Sequence, residues 1–196
     1  MQGKLFVILL LPALTASAYP LDQPEEIVVH IINKAGLSEG LVKRSMNEVV
    51  DIYRLEGFTL TWSECTADGD NPCPWATGYL VCISPERGTM KYDTVTLGYS
   101  MLTIGRGNHA VVMWPDVEEF AKRHIASESM ILGSTIAHEL GHMITRSRKH
   151  DQGVMKSVWT GKDIYDMNQR RIRFSPDFVE VMKQQLTDLH TAAVKR

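Results

Sequence analysis

One five-residue stretch limits this chain more than any other: His138-Glu139-Leu140-Gly141-His142, an H-E-x-x-H pattern inside an apolar run. On an α-helix, positions four apart lie one turn apart on the same face, so both imidazoles can reach one metal ion. Glu139 projects beside them, where a carboxylate can take a proton from water acidified by the metal. Ile136, Leu140, Met143 and Ile144 recur at helical spacing and give the same segment a core-facing side. With 7 His and 12 Glu among 196 residues, random placement yields about 0.015 copies of the pattern. Two idle histidines on a helix are therefore the poorer reading. Gly141 costs the helix about 1 kcal/mol relative to Ala, a cost explained if another part of the chain approaches closely there.

A catalytic zinc site takes three protein ligands and leaves a fourth position open. The only Glu beyond Glu139 is Glu180, thirty-eight residues past His142, which leaves little room for a class that draws its third ligand from a downstream Glu. His150 follows the polar stretch Arg146-Ser147-Arg148-Lys149, in which a helix can end and the chain turn back. It is the first candidate for third ligand, with Asp151 or Asp163 open as an oxygen donor in its place.

At this point the residues resemble a family, the metzincin peptidases, and among them small secreted matrixin-like members. The resemblance rests on residues 138–142, on His150, and on Gly153-Val154-Met155, which looks like the family's turn with a methionine beneath the metal. It implies an α+β, zincin-like single domain whose mixed β-sheet packs with an active-site helix and a C-terminal helix. It implies Zn2+ as cofactor on His138, His142 and His150, Glu139 as general base, and Met155 as hydrophobic floor. The family's common pattern has a Gly three residues after the second His and the third His six residues after it. Here Thr145 and Arg148 stand at those positions and His150 comes two residues later; Ser157 stands where some members supply a Tyr ligand.

The remaining features concern compartment and partners. Residues 1–18 combine Lys4, an apolar run over 5–14 and the small-residue stretch Thr15-Ala16-Ser17-Ala18, the form of a secretory signal peptide cut after Ala18. The apolar run is ten residues long and contains Pro12, too short for a membrane-crossing helix of about 20 residues. Residues 19–196 are then one exported catalytic domain, extracellular or periplasmic, with no membrane attachment after cleavage. Three cysteines, Cys65, Cys73 and Cys82, favour one bridge and one free thiol; Cys65 with Cys73 is preferred because they flank a turn-rich loop, and pairings through Cys82 stay open. A net charge of −2, from 21 basic and 23 acidic residues, gives no footprint for nucleic acid. The expected partner is a peptide or protein substrate met by a monomer. A zinc-binding module without activity and a zinc hydrolase of non-protein amides such as cell-wall peptides are the competing functions.

Local patterning predicts helices over about 38–55, 115–124 and 129–145, and a last helix capped by Ser175 with a stripe of Phe178, Val181, Met182 and Leu186. Strands are expected over 58–62, 78–84 and 109–114, with a weaker one over 94–103, interrupted by Gly98, as an edge for substrate pairing. Residues 150–173 read as irregular. Trp159 reads equally as pocket wall or core. His30, among Ile27, Val28, Val29, Ile31 and Ile32, reads as a packed or surface histidine.

Overall fold

The computed structural model describes residues 26–67, 70–74, 77–88, 96–102 and 108–194. The expected signal peptide over 1–18 and the ends of the expected 94–103 strand lie outside these residues. Five strands, β1 (Glu26–Asn33), β2 (Thr59–Glu64), β3 (Tyr79–Ser84), β4 (Gly98–Met101) and β5 (His109–Met113), form one sheet in the order β2-β1-β3-β5-β4. All neighbours run parallel except β4, which is antiparallel to β5 at the edge. The domain is therefore α+β with a mixed sheet, as expected.

Interior strand β1 is one of the elements that patterning left unassigned. It is buried on both faces from Ile27 to Ile32 except for partial exposure at Val28, so its sequence shows neither alternation nor helical period. His30 is buried there, and its Nδ1 lies 3.1 Å from the Ser63 hydroxyl on β2, so it is a core histidine. The next helix, α1 (Glu39–Arg54), begins at Ser38, whose hydroxyl accepts from the Leu41 amide. Strand β5 ends at Met113, one residue before the expected limit, and Trp114 opens α2 (Trp114–Arg123), whose first turn tolerates Pro115 because amides there have no intrahelical acceptor.

Helix α3 (Glu128–Thr145) runs through the centre, and every residue from Ser129 to Thr145 is buried. Such a helix must be held from several sides. Against α1, Gly133 permits backbone contact, since a Cβ there would lie 2.5 Å from the Ser45 carbonyl oxygen. The buried Tyr53 hydroxyl of α1 donates to the Ala137 carbonyl at 3.1 Å, one residue before His138. From the sheet side, Ile27, Val29, Ile31, Val81, Ala110 and Val112 are fully buried or nearly so.

After α3 the chain is more ordered than its polar sequence suggests. Residues 150–173 hold a 3-10 turn (Gly153–Met155) and α4 (Gly161–Asn168), the latter started by a capping box of Thr160 and Asp163. Ser175 begins α5 (Pro176–Val194) and accepts from the Phe178 amide at 3.2 Å. The apolar stripe of α5 is Phe178, Val179, Met182 and Leu186; Val181 is 48% exposed, because the helix phase turns it outward. Cys65 and Cys73 are joined and Cys82 is free. Cys65 extends the β1–β2 pairing by one residue while Cys82 pairs with Ile32 on the other side of β1. Two strand spacings of about 4.8 Å separate them, beyond the reach of about 7 Å for a bridge.

Candidate metal centre

His138 and His142 lie one turn apart on α3 with their Nε2 atoms 3.0 Å from each other. The cause is visible on the far side of each ring. His138 Nδ1 donates to the Val154 carbonyl at 2.8 Å, and His142 Nδ1 donates to the Ser147 carbonyl at 2.7 Å. A carbonyl only accepts, so each Nδ1 carries the proton and each Nε2 presents a lone pair. Two lone pairs facing each other with no proton between them are repulsive unless a cation joins them. His150 completes the cluster: its ring centroid is 5.4 Å from that of His138 and 5.1 Å from that of His142, and one ligand atom from each residue lies within 4.8 Å of the others.

The helix dictates the first two positions, and the chain reversal dictates the third. Arg146 closes α3 in the left-handed conformation (φ 50), its amide bonded to the His142 carbonyl, and the chain returns so that His150 faces the helix. Asp151, considered as an alternative ligand, is committed elsewhere: its amide donates to the Met155 carbonyl at 2.9 Å and its carboxylate accepts from the Ser175 hydroxyl. Asp163 is likewise spent, on Lys156 at 2.8 and 2.9 Å and on the Thr160 amide and hydroxyl. Among the described residues the three-imidazole set is the one that converges.

Met155 is fully buried against α3, and a Cβ on Gly141 would lie 2.6 Å from its sulfur. This is the close approach that the helical glycine implied, and the partner is the Gly153–Met155 turn. That turn is held from behind: the Val154 amide donates to the Arg173 carbonyl at 2.9 Å. Gly153 is required there twice over, by its φ of 61 and because a Cβ would fall 1.9 Å from the Arg173 oxygen. Trp159 is 9% exposed and meets the His138 ring edge-on at 6.1 Å and Phe120 at 6.4 Å, so it is a buried wall beside the histidine cluster.

Glu139 is 4% exposed. Burial pushes its carboxyl up to about 8, against the pull of a hydrogen bond from Ser100 on edge strand β4. Its Oε2 has no partner among the described residues. Gly98 explains the interruption in that strand: a Cβ would lie 3.2 Å from both Cγ and Oε1 of Glu139. Burial holds the His138 imidazole down to about 4, with the neighbouring histidines adding to the effect, and burial also lowers His142. These groups are thus neutral imidazoles at neutral pH, the form that binds metal. Sequence reasoning missed Ser100, the carbonyls of Ser147 and Val154, and the bond of Ser175 to Asp151. Their contacts arise from tertiary placement, for which the chain carries no local pattern.

The donor set fits zinc. Neutral nitrogens suit that ion, and tetrahedral coordination at 2.0–2.1 Å asks for nitrogen separations of about 3.3 Å, close to the spacing of the two facing atoms. No protein-family model and no curated protein matches the sequence. Among solved structures, the chain is similar to archaemetzincin from Methanopyrus kandleri, at 12% identity and a TM-score of 0.52, over 85% of this chain and 99% of that one. It also aligns with metalloproteinase-II from Bacteroides fragilis, at 14% identity and a TM-score of 0.49, over 84% of this chain and 54% of that one. The fold is thus of the archaemetzincin kind.

Proposed function

We propose that this protein is an exported zinc-dependent endopeptidase, with His138, His142 and His150 as metal ligands and Glu139 as general base. The observation that carries the reading is the pair of Nε2 lone pairs facing each other at 3.0 Å, each ring locked in that tautomer by a backbone carbonyl. Beside it stands a buried carboxyl with one oxygen unpartnered among the described residues. A purely structural zinc site has no use for that group, which argues against a module without activity. The matrixin-like resemblance, the leader cut after Ala18 and a monomeric state belong to the same proposal.

Zinc, when bound, supplies Lewis acidity toward water and the scissile carbonyl. A cation on the three imidazoles would favour the charged form of Glu139 against the burial that raises it; as a carboxylate it would take the proton of the attacking water through Oε2 and later deliver it to the departing nitrogen. The Ser100 side chain beside that carboxyl favours its charged form. Edge strand β4 offers main-chain pairing to an extended peptide, and its Ser100 connects that edge to Glu139. Trp159 walls the space beside His138.

The test is elemental analysis of residues 19–196 as wild type, His150→Ala and Asp151→Ala, with casein cleavage in parallel and Glu139→Ala as inactive control. One zinc per chain is expected for wild type and Asp151→Ala, with loss in His150→Ala. Wild-type protein that takes up no zinc even when supplied would end the reading.

A further inference from the structure

Three of the seven residues between His142 and His150 are cationic, namely Arg146, Arg148 and Lys149, and all three are exposed. None has an ion-pair or hydrogen-bond partner for its side chain among the described residues, whereas Arg87, Arg123 and Arg170 are matched with carboxylates. The backbone beneath them is fixed. The Arg146 and Ser147 amides both bond to the His142 carbonyl, the Ser147 carbonyl holds the His142 ring, and the Lys149 amide donates to the Ser147 hydroxyl at 3.2 Å. The cations are therefore tethered to a metal ligand.

The carboxylates adjacent in the chain do not neutralise them. Asp151 accepts from the Ser175 hydroxyl and forms no ion pair with them, and its single negative charge stands against three positive ones. The molecule carries a net charge of −2, yet the ground next to its metal site is positive, and a bound zinc ion makes it more so.

We propose that the loop over 146–149 sets substrate preference: peptides bearing an Asp or Glu side chain close to the scissile bond are bound and cut ahead of neutral or basic ones. This rests on the endopeptidase reading. Exposed cations attract a carboxylate weakly one at a time and more strongly as a cluster, and the attraction is screened by salt. Such groups steer and select partners, so the preference falls mainly in KM.

The test uses zinc-loaded wild-type protein and quenched fluorescent peptides that differ only in carrying Glu, Gln or Lys at each position flanking the cleaved bond. Binding to Glu139→Gln protein is measured in parallel. The Glu peptides should be cut with kcat/KM roughly tenfold above the Gln peptides at about 50 mM salt, the ratio collapsing to about twofold at about 500 mM. The R148E/K149E variant should reverse the order, so that the Lys peptides lead; R148Q/K149Q, a milder change, should flatten it. Cleavage of all three sets at equal rates overturns the charge selection and leaves the peptidase reading standing. No cleavage, with binding that still favours Glu peptides and reverses in R148E/K149E, overturns the peptidase reading and keeps the loop as a carboxylate-reading surface. Neither cleavage nor preference overturns both.

Discussion

Glu139 and His138 are neighbours in the chain whose protons act on folding in opposite directions. The Glu139 carboxyl is raised from an ordinary 4.5 to about 8, so the folded state keeps a proton that the unfolded chain has released. Its contribution to stability is full below 4.5 and is lost as pH rises through 8. The His138 imidazole is lowered from 6.5 to about 4, so its contribution is full above 6.5 and is lost as pH falls to 4. Between 4.5 and 6.5 the two oppose each other, and above 6.5 Glu139 acts alone. Metal-free wild-type protein is therefore expected to lose stability between about pH 6.5 and 8, with a slope approaching about 1.4 kcal/mol per pH unit at most. Glu139→Gln should show no such decline. Urea midpoints in chelator at pH 6, 7 and 8 check this, and parallel curves for the two proteins would refute it. A second expectation concerns Gly153, where an added Cβ would collide with backbone that cannot swing aside as a side chain can. Gly153→Ala should cost about 3 kcal/mol or more, read from denaturant unfolding, and should weaken zinc binding because the turn carries the Val154 carbonyl that holds His138.

At the scale of elements, what could be read in advance followed from how local each signal was. The H-E-x-x-H helix declares itself because both proposed ligands and the proposed base lie within five residues of one turn geometry. The Ser175 start of α5 does so through its cap and Pro176. Strand β1 gave no such signal, since a central parallel strand buried on both faces has no alternation to show. Helix α4 is short and polar outside Ile164 and Met167, so its capping box was lost among other turn-forming residues. Ser175 illustrates the limit: its capping role was visible, while its bond to Asp151, twenty-four residues earlier, was not. That bond joins the start of α5 to the residue after His150. Ser175→Ala is expected to lose about 1–2 kcal/mol from the missing cap and partner and also to lower zinc affinity severalfold. Zinc competition titration separates the two effects, because a cap alone would change stability and leave affinity intact. Ser175→Thr, which keeps the hydroxyl, should restore both.

Across the whole molecule, the proposed ligands draw together segments that the chain order keeps apart. His138 and His142 stand on a buried helix braced by α1 and the sheet, while His150 stands on a loop fastened to the Met155 turn and through Asp151 to α5. A metal ion joining the three would link the rigid centre to the C-terminal part of the fold, so its stabilisation should not be confined to the site. With free zinc at about a hundredfold over its Kd, stabilisation of about 2.7 kcal/mol is expected, which for a domain of this size raises Tm by roughly 5–10 °C. Hydrogen exchange sharpens the prediction. Zinc should protect the amides of residues 147–155, and also those of Phe178 and Val179 in the first turn of α5, whose amides are bonded to Ser175. In Ser175→Ala the protection over 147–155 should remain in part while that in α5 disappears. Zinc that raises Tm with protection only along α3 would mean that His150 is not a ligand and that the metal is held by the helical pair alone.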